Sequence, residues 1–145
     1  MYTYNNNSMS TIKGVFPLGG CDYIVENCNH RAKIGTNITD FKLPKPAIEK
    51  LKDLLKPWRV ACTIQWYNAG DSMAKHVDNA NKHGRVLSCS ILLTDNFEGG
   101  DLMIEGERAN LTKGDAIIFS PADEHWVTEV TKGTRVTLAV WGVSE

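Results

Sequence analysis

KGDAIIFSPADEHWVTEVTKGTRVTLAVWGV, residues 113–143, carries the pattern on which the fold turns. Three runs rich in β-branched and aromatic residues, 115–120, 125–131 and 134–143, are separated by Pro121-Ala122 and Lys132-Gly133, and Lys113-Gly114 opens the first. Such runs read as strands, and the Gly- and Pro-bearing dipeptides read as turns. Within 134–143 the alternation is explicit. Val136, Leu138 and Val140 fall on one side, and Arg135, Thr137, Ala139, Trp141 and Val143 on the other, because successive strand side chains point to opposite faces. The polar side either meets water or lines an interior where an anion meets the guanidinium. The strand alone leaves both readings open.

Upstream, 60–68, 85–94 and 101–105 read as strands too, divided by Gly70-Asp71, His83-Gly84 and Gly99-Gly100. In the first of them Val60, Cys62, Ile64 and Trp66 oppose Ala61, Thr63, Gln65 and Tyr67. Many short strands with glycine turns predict a sandwich or jelly-roll barrel. The one helical pattern is 46–56, where Ile48, Leu51, Leu54 and Leu55 recur at helical spacing. Pro44 and Pro46 suit its start and Pro57 stops it. Residues 11–18 and 23–27 read as edge strands. The expectation is a mainly β jelly roll in a single domain, 1–145, with its core at 60–143 and one N-terminal helix packed on it.

The 145 residues suffice for a real core. Sixteen basic and 17 acidic side chains leave a net charge of −1, so no overall field holds a nucleic acid or an anionic membrane. No run approaches the roughly 18 apolar residues of a membrane helix, and the polar N-terminus lacks a secretory apolar region. A soluble, cytoplasmic protein is expected. Cys62 and Cys89 sit in apolar runs that suit reduced, buried thiols. Cys21, Cys28 and His30 offer three zinc ligands without a nearby fourth.

His76-Val77-Asp78 carries the first chemical signal. Two apart in extended chain, the imidazole and carboxylate point to the same side. By itself the pair reads equally well as a loop His and a loop Asp. His125 follows at the start of a strand, immediately after Pro121-Ala122-Asp123-Glu124. Two His and one carboxylate on a β scaffold form the facial triad of non-haem Fe(II) oxygenases, which leaves metal positions open for reactants. Arg135 beside Thr137 then suits a carboxylate, which a guanidinium binds through two parallel hydrogen bonds.

In order and spacing, Tyr67-x-x-Gly70-x5-His76-x-Asp78, Gly99-Gly100-Asp101-Leu102, Lys113-Gly114-Asp115, His125 and Arg135-x-Thr137 resemble the 2-oxoglutarate/Fe(II)-dependent dioxygenases. His76-Val77-Asp78-Asn79, Gly84-Arg85 and Thr137-x-x-x-Trp141 are similar to prolyl 4-hydroxylases of the hypoxia-sensing type. The resemblance covers about residues 60–143. It implies a double-stranded β-helix whose strands bearing His125 and Arg135 lie in opposite sheets, which overrides the hairpin that Lys132-Gly133 suggests locally. It implies that His76, Asp78 and His125 bind Fe(II), and that Arg135 takes the distal carboxylate of 2-oxoglutarate with Thr137 and Tyr67. Arg85 and Trp141 match positions that face the substrate. The implied cosubstrates are 2-oxoglutarate and O2, with ascorbate as a candidate addition; the products are succinate, CO2 and a hydroxylated C–H position. Halogenating relatives lack the carboxylate that Asp78 supplies. The favoured substrate is a prolyl residue in a peptide or protein. Free amino acids, small metabolites and nucleobases are alternatives, and a catalytically silent binding module is a further one. Nucleic-acid demethylases of this kind carry a second arginine six residues after the first, where this chain has Trp141. The sequence departs from the pattern at Leu92, where those relatives place a tyrosine that binds the cosubstrate.

Overall fold

The computed structural model describes residues 9–28, 43–78 and 84–144, together with the backbone of Asn37 and Ile38. In chain order the elements are β1 (Ser10–Ile12), α1 (Leu18–Asn27), β2 (Asn37–Ile38), α2 (Lys45–Leu55), β3 (Arg59–Asn68) and β4 (Met73–His76). They continue with β5 (Arg85–Leu92), β6 (Phe97–Gly99), β7 (Leu102–Ile104), β8 (Glu107–Arg108), β9 (Ala116–Phe119), β10 (His125–Val127) and β11 (Val130–Val143). The strands form two antiparallel sheets. The larger runs β1-β9-β5-β11-β3-β2, with β6 also on β11, and the smaller runs β4-β10-β7-β8. This is the jelly roll the strand pattern predicts.

The long strand β11 organises the larger sheet. Val136, Leu138 and Val140 pack outward against Cys21 and Ile24 of α1 and Ala47, Leu51 and Leu55 of α2, forming one apolar cluster with Ile64, Cys89 and Ile91. A second cluster lies between the sheets and includes Tyr67, Leu102, Ile104, Ile117, Phe119 and Val127. Helices cover the outer face, so the polar side of β11 is turned into the barrel. Arg135 and Thr137 are 3% and 1% exposed, which decides the question the strand alone left open. Lys132 and Gly133 pair with β6 inside a continuous β11. They make no hairpin, and His125 and Arg135 lie in opposite sheets.

Two expectations need correction. Residues 23–27 form the end of helix α1, not an edge strand, and 11–18 supplies only the short strand β1 before the helix begins. Tyr23-Ile24-Val25 favours a strand locally, but helical spacing puts Cys21 and Ile24 together in the core, and that burial outweighs the local preference. A second helix therefore joins the one expected. In α2, Ala47 takes the buried position and Ile48 is exposed, a rotation of the apolar stripe by one residue. His30 lies outside the described residues, so the Cys21/Cys28/His30 grouping is not described. Cys62 and Cys89 are free thiols, and burial holds the Cys62 pKa up at about 12. Among the described residues no helix is long and apolar enough to cross a membrane.

Asp115 ties the N-terminal segment to the barrel. Its carboxylate accepts bonds from Thr112 Oγ1 at 2.6 Å, the Thr112 amide at 3.0 Å, the Gly14 amide at 2.9 Å and Lys13 Nζ at 2.9 Å. Gly114, at φ +93°, lets the turn pass so close that a Cβ would stand 2.5 Å from the Phe16 carbonyl oxygen. Burial pushes the Asp115 carboxyl up, but Thr112, Gly14 and Lys13 outweigh it and hold it well below the usual carboxylate range. Asp115→Ala should cost about 3 kcal/mol in urea unfolding at neutral pH, because two amides lose their partner. A depressed folded pKa stabilises above the unfolded value of about 3.9, and that stabilisation is lost as pH falls toward the folded value. The gap between wild type and variant should therefore narrow below about pH 4.

Candidate metal centre and its surroundings

His76 ends β4 and His125 opens β10, and the two pair directly across the smaller sheet. Their rings are 4.2 Å apart between centroids. Asp78 lies two residues past β4, and its amide donates to the Pro121 carbonyl at 2.8 Å, which brings the turn after β9 against the His-x-Asp segment. One ligand atom from each of His76, Asp78 and His125 falls within 4.8 Å of the others, the one such cluster among the described residues.

Each atom faces the right way. His76 Nδ1 is 2.8 Å from the Ala74 carbonyl oxygen and His125 Nδ1 is 2.9 Å from that of Asp123. A carbonyl only accepts, so each Nδ1 carries hydrogen; Nε2 of the protonated His125 ring donates to Asp78, and in the neutral rings each Nε2 has its lone pair for a metal. Asp78 Oδ1 is 3.2 Å from His125 Nε2 and 3.7 Å from His76 Nε2. The other carboxylate oxygen, Oδ2, is held by Ser88 Oγ at 2.6 Å and Trp141 Nε1 at 3.0 Å. Burial pushes the Asp78 carboxyl up, but the bonds from His125 and Ser88, the His125 charge and the Trp141 indole outweigh it and bring it down to about 2. Burial lowers the His125 pKa, while Asp78 and the Asp123 carbonyl more than reverse that, so the net direction is upward. Two imidazoles and a carboxylate converging at one point suit a divalent first-row metal, Fe(II) among them.

Arg85 and Trp141, expected at the substrate face, both bond Asp78, and Trp141 also lines the space beside the triad. The Arg85 guanidinium lies 3.9 Å over the Trp141 ring, and its Nη1 donates to the Asp78 carbonyl at 2.8 Å. Ser88 belongs to the site without any motif to mark it. It sits opposite Trp141 in the β5–β11 register, and only that cross-strand pairing brings its hydroxyl to Asp78.

Arg135, Thr137, Ala139 and Trp141 of β11 line the same space as the triad, with Gln65, Met73, Leu102, Phe119 and Val127. Among the described residues no carboxylate pairs with Arg135. It meets the Tyr67 ring at 5.2 Å, and burial lowers its pKa to about 10, so it remains a buried cation at neutral pH. The Tyr67 hydroxyl is directed to Met73 Sδ at 3.7 Å, so Tyr67 supports Arg135 with its ring face. Thr137 pairs with Gln65 on one side and Leu92 on the other.

The family model of the 2OG-Fe(II) oxygenase superfamily matches residues 62–142. A PKHD-type hydroxylase of Paraburkholderia xenovorans is 37% identical over 89 residues, covering 52% of this chain and 39% of that protein. One from Idiomarina loihiensis is 33% identical over 120 residues, covering 77% of this chain and 54% of that protein. The chain thus spans about half, or less, of the length of these curated relatives. Among solved structures, a viral collagen prolyl hydroxylase from Paramecium Bursaria Chlorella virus-1, in its 2OG complex, superposes with a TM-score of 0.75 at 16% identity, covering 97% of this chain and 98% of the other. A Pseudomonas putida prolyl-4-hydroxylase gives 0.74 at 17%, covering 95% and 86%. At such identity these neighbours establish the fold, the jelly roll of both enzymes. The family match rests on the stretch holding all three convergent residues and Arg135, and by it this chain belongs to the 2OG-Fe(II) oxygenase superfamily.

Proposed function

We propose that the protein is a 2-oxoglutarate- and Fe(II)-dependent oxygenase that hydroxylates a C–H bond, with a prolyl residue of a peptide or protein as substrate and succinate and CO2 as co-products. The observation that carries this reading is a three-ligand cluster lining one space with a buried guanidinium that no carboxylate among the described residues pairs. The cluster alone would suit any divalent-metal site, and the guanidinium alone any small anion. Together they match the two ends of a 2-oxo diacid, a chelating head and a distal carboxylate.

His76, Asp78 and His125 would hold Fe(II), each His offering Nε2 while a backbone carbonyl fixes its ring. When bound, Fe(II) and 2-oxoglutarate supply the oxidising chemistry, in which one oxygen atom of O2 enters succinate and the other the substrate. Arg135 takes the distal carboxylate, with the Thr137 hydroxyl beside it and the Tyr67 ring under it. Met73, Leu102, Phe119 and Val127 keep water from the cluster. The His76 side chain is 36% exposed and Val77 beside it is half-exposed, while Asp78 and His125 are buried, so the cluster is open at its His76 edge, the side from which a residue of a polymer would reach it. The likeness to prolyl hydroxylases, one of them solved with a hypoxia inducible factor peptide fragment, favours a prolyl residue.

Ser88 and Trp141 are positioning residues for Asp78. Ser88→Ala and Trp141→Phe should each weaken divalent-metal binding about 10- to 100-fold, read by titration with Mn(II), with the circular dichroism spectrum unchanged. Trp141→Phe keeps an aromatic face for Arg85 and removes only the N–H.

Anaerobic reconstitution with Fe(II) and 2-oxoglutarate tests the whole reading. A weak visible charge-transfer band, lost in Arg135→Ala, supports it; proline-containing peptides are then screened for one added oxygen and equimolar succinate. Absence of the band in folded, iron-loaded protein overturns the oxygenase reading in favour of a binding module. A band with oxygen added only to non-prolyl substrates overturns the prolyl assignment alone.

A further inference from the structure

Arg135 is a buried cation that no carboxylate among the described residues pairs, so something other than an ion pair sets its direction. Arginine is long and rich in rotamers, and an anion that has to order it on arrival loses affinity. The carboxylate on the turn before β7 does not do the ordering, because Asp101 gives its Oδ1 to Arg108 Nε at 3.0 Å.

The backbone of that same turn does. Gly100 has φ +62°, and a Cβ there would stand 2.9 Å from Arg135 Cδ and 2.8 Å from Val130 Cγ2. The turn cannot retreat from such a contact. The Gly100 amide donates to the Glu129 carbonyl at 3.0 Å, the Asp101 amide to Thr128 Oγ1 at 2.8 Å, and the Thr128 amide back to the Asp101 carbonyl at 2.9 Å. Three bonds thus pin the turn to residues 128–129, directly before β11, the strand that carries Arg135. A side chain at position 100 would therefore push on Val130 and on the Arg135 stem. Beyond the stem, the guanidinium meets the Tyr67 ring at 5.2 Å. Packing at Cδ and a ring at the head take the place of an ion pair.

We propose that Gly100 is a positioning residue for the cosubstrate: because it has no side chain, the Arg135 stem seats against the turn, and this packing aims the guanidinium before any carboxylate arrives. This rests on the oxygenase reading, in which Arg135 binds the distal carboxylate of 2-oxoglutarate. It adds a residue that acts through Arg135 alone.

The test is binding of 2-oxoglutarate to Mn(II)-loaded protein by calorimetry, with Mn(II) affinity measured alongside. Misplacing a binding group by about 1 Å can cost about a hundredfold, so Gly100→Ala should weaken 2-oxoglutarate by at least about tenfold and leave Mn(II) affinity unchanged. Gly106→Ala is the control. Gly106 has φ +81° with open space around its Cβ position, so the variant carries a similar backbone penalty without pressing on Arg135. It should lose stability and bind both ligands as the wild type does. Unchanged 2-oxoglutarate affinity in folded Gly100→Ala overturns the proposal and leaves the oxygenase reading standing. An equal loss in Gly106→Ala, or a parallel loss of Mn(II) affinity in Gly100→Ala, overturns it too. Should Gly100→Ala not fold, the wild type decides by NMR with isotope-labelled arginine. The Arg135 Nε–H resonance, assigned by its loss in Arg135→Leu, should stand apart from those of exposed arginines before cosubstrate is added; a resonance merged with theirs sinks the proposal. If the wild type binds Mn(II) but not 2-oxoglutarate, the oxygenase reading falls and the positioning role falls with it.

Discussion

Asp78→Asn will lose metal binding and turnover while keeping the fold. The amide oxygen can still accept from Ser88 and Trp141 as Oδ2 does. The amide nitrogen would then stand where Oδ1 now faces His125 Nε2 at 3.2 Å, presenting hydrogens to the metal position instead of a lone pair. Divalent-metal affinity should drop by more than about 100-fold, beyond the range seen for partners outside the coordination sphere. Succinate formation should fall to background. Asp78→Ala should lose turnover too, and in addition should unfold more easily, because it strands a buried hydroxyl and indole N–H. Retained succinate formation in either variant, measured with Fe(II) and 2-oxoglutarate in excess, would remove Asp78 from the ligand set.

The second large effect combines a gain with a loss. Arg135→Leu should raise stability and abolish cosubstrate binding. A buried guanidinium without a counter-ion costs several kcal/mol of desolvation, and replacing buried charge by an apolar side chain is often neutral or stabilising by about 1–4 kcal/mol. Leucine would extend the apolar lining that Leu102, Phe119 and Val127 already form. The variant should therefore unfold at higher urea than the wild type without cosubstrate. Its affinity for 2-oxoglutarate should be lower by about a hundredfold or more, the usual consequence of removing one partner of a buried charge pair. Metal binding should persist, since Arg135 touches none of the three donor atoms. A less stable Arg135→Leu would mean that the guanidinium holds the barrel together, not that it waits for an anion. Trading stability for a binding site in this way is general among proteins.

The two predictions differ in how far the sequence exposes their grounds. Asp78 is legible because a two-residue spacing in extended chain is a local geometry, and His125 because a strand begins beside a turn. The rest of the Asp78 environment is not legible. Ser88 is ten residues away and reaches the carboxylate through the β5–β11 register. Arg85 and Trp141 match a substrate-facing pattern, and only in three dimensions is it seen that they also stack on each other and bond Asp78. Helix α1 is hidden for a related reason: Tyr23-Ile24-Val25 favours a strand until Cys21 and Ile24 find the core.

By itself the sequence determined most of the core strands, the His-x-Asp spacing and the two faces of β11, because each follows from a spacing of a few residues; it misplaced 23–27 and the break at Lys132-Gly133. Only the tertiary structure decided which face of β11 is interior. The helices cover Val136, Leu138 and Val140, so Arg135 is turned between the sheets with a narrow space on one side and a wide cavity on the other. The alternation of a strand is a property of its own backbone. What each face meets depends on segments as distant as α1 and α2, brought there by the burial of apolar surface.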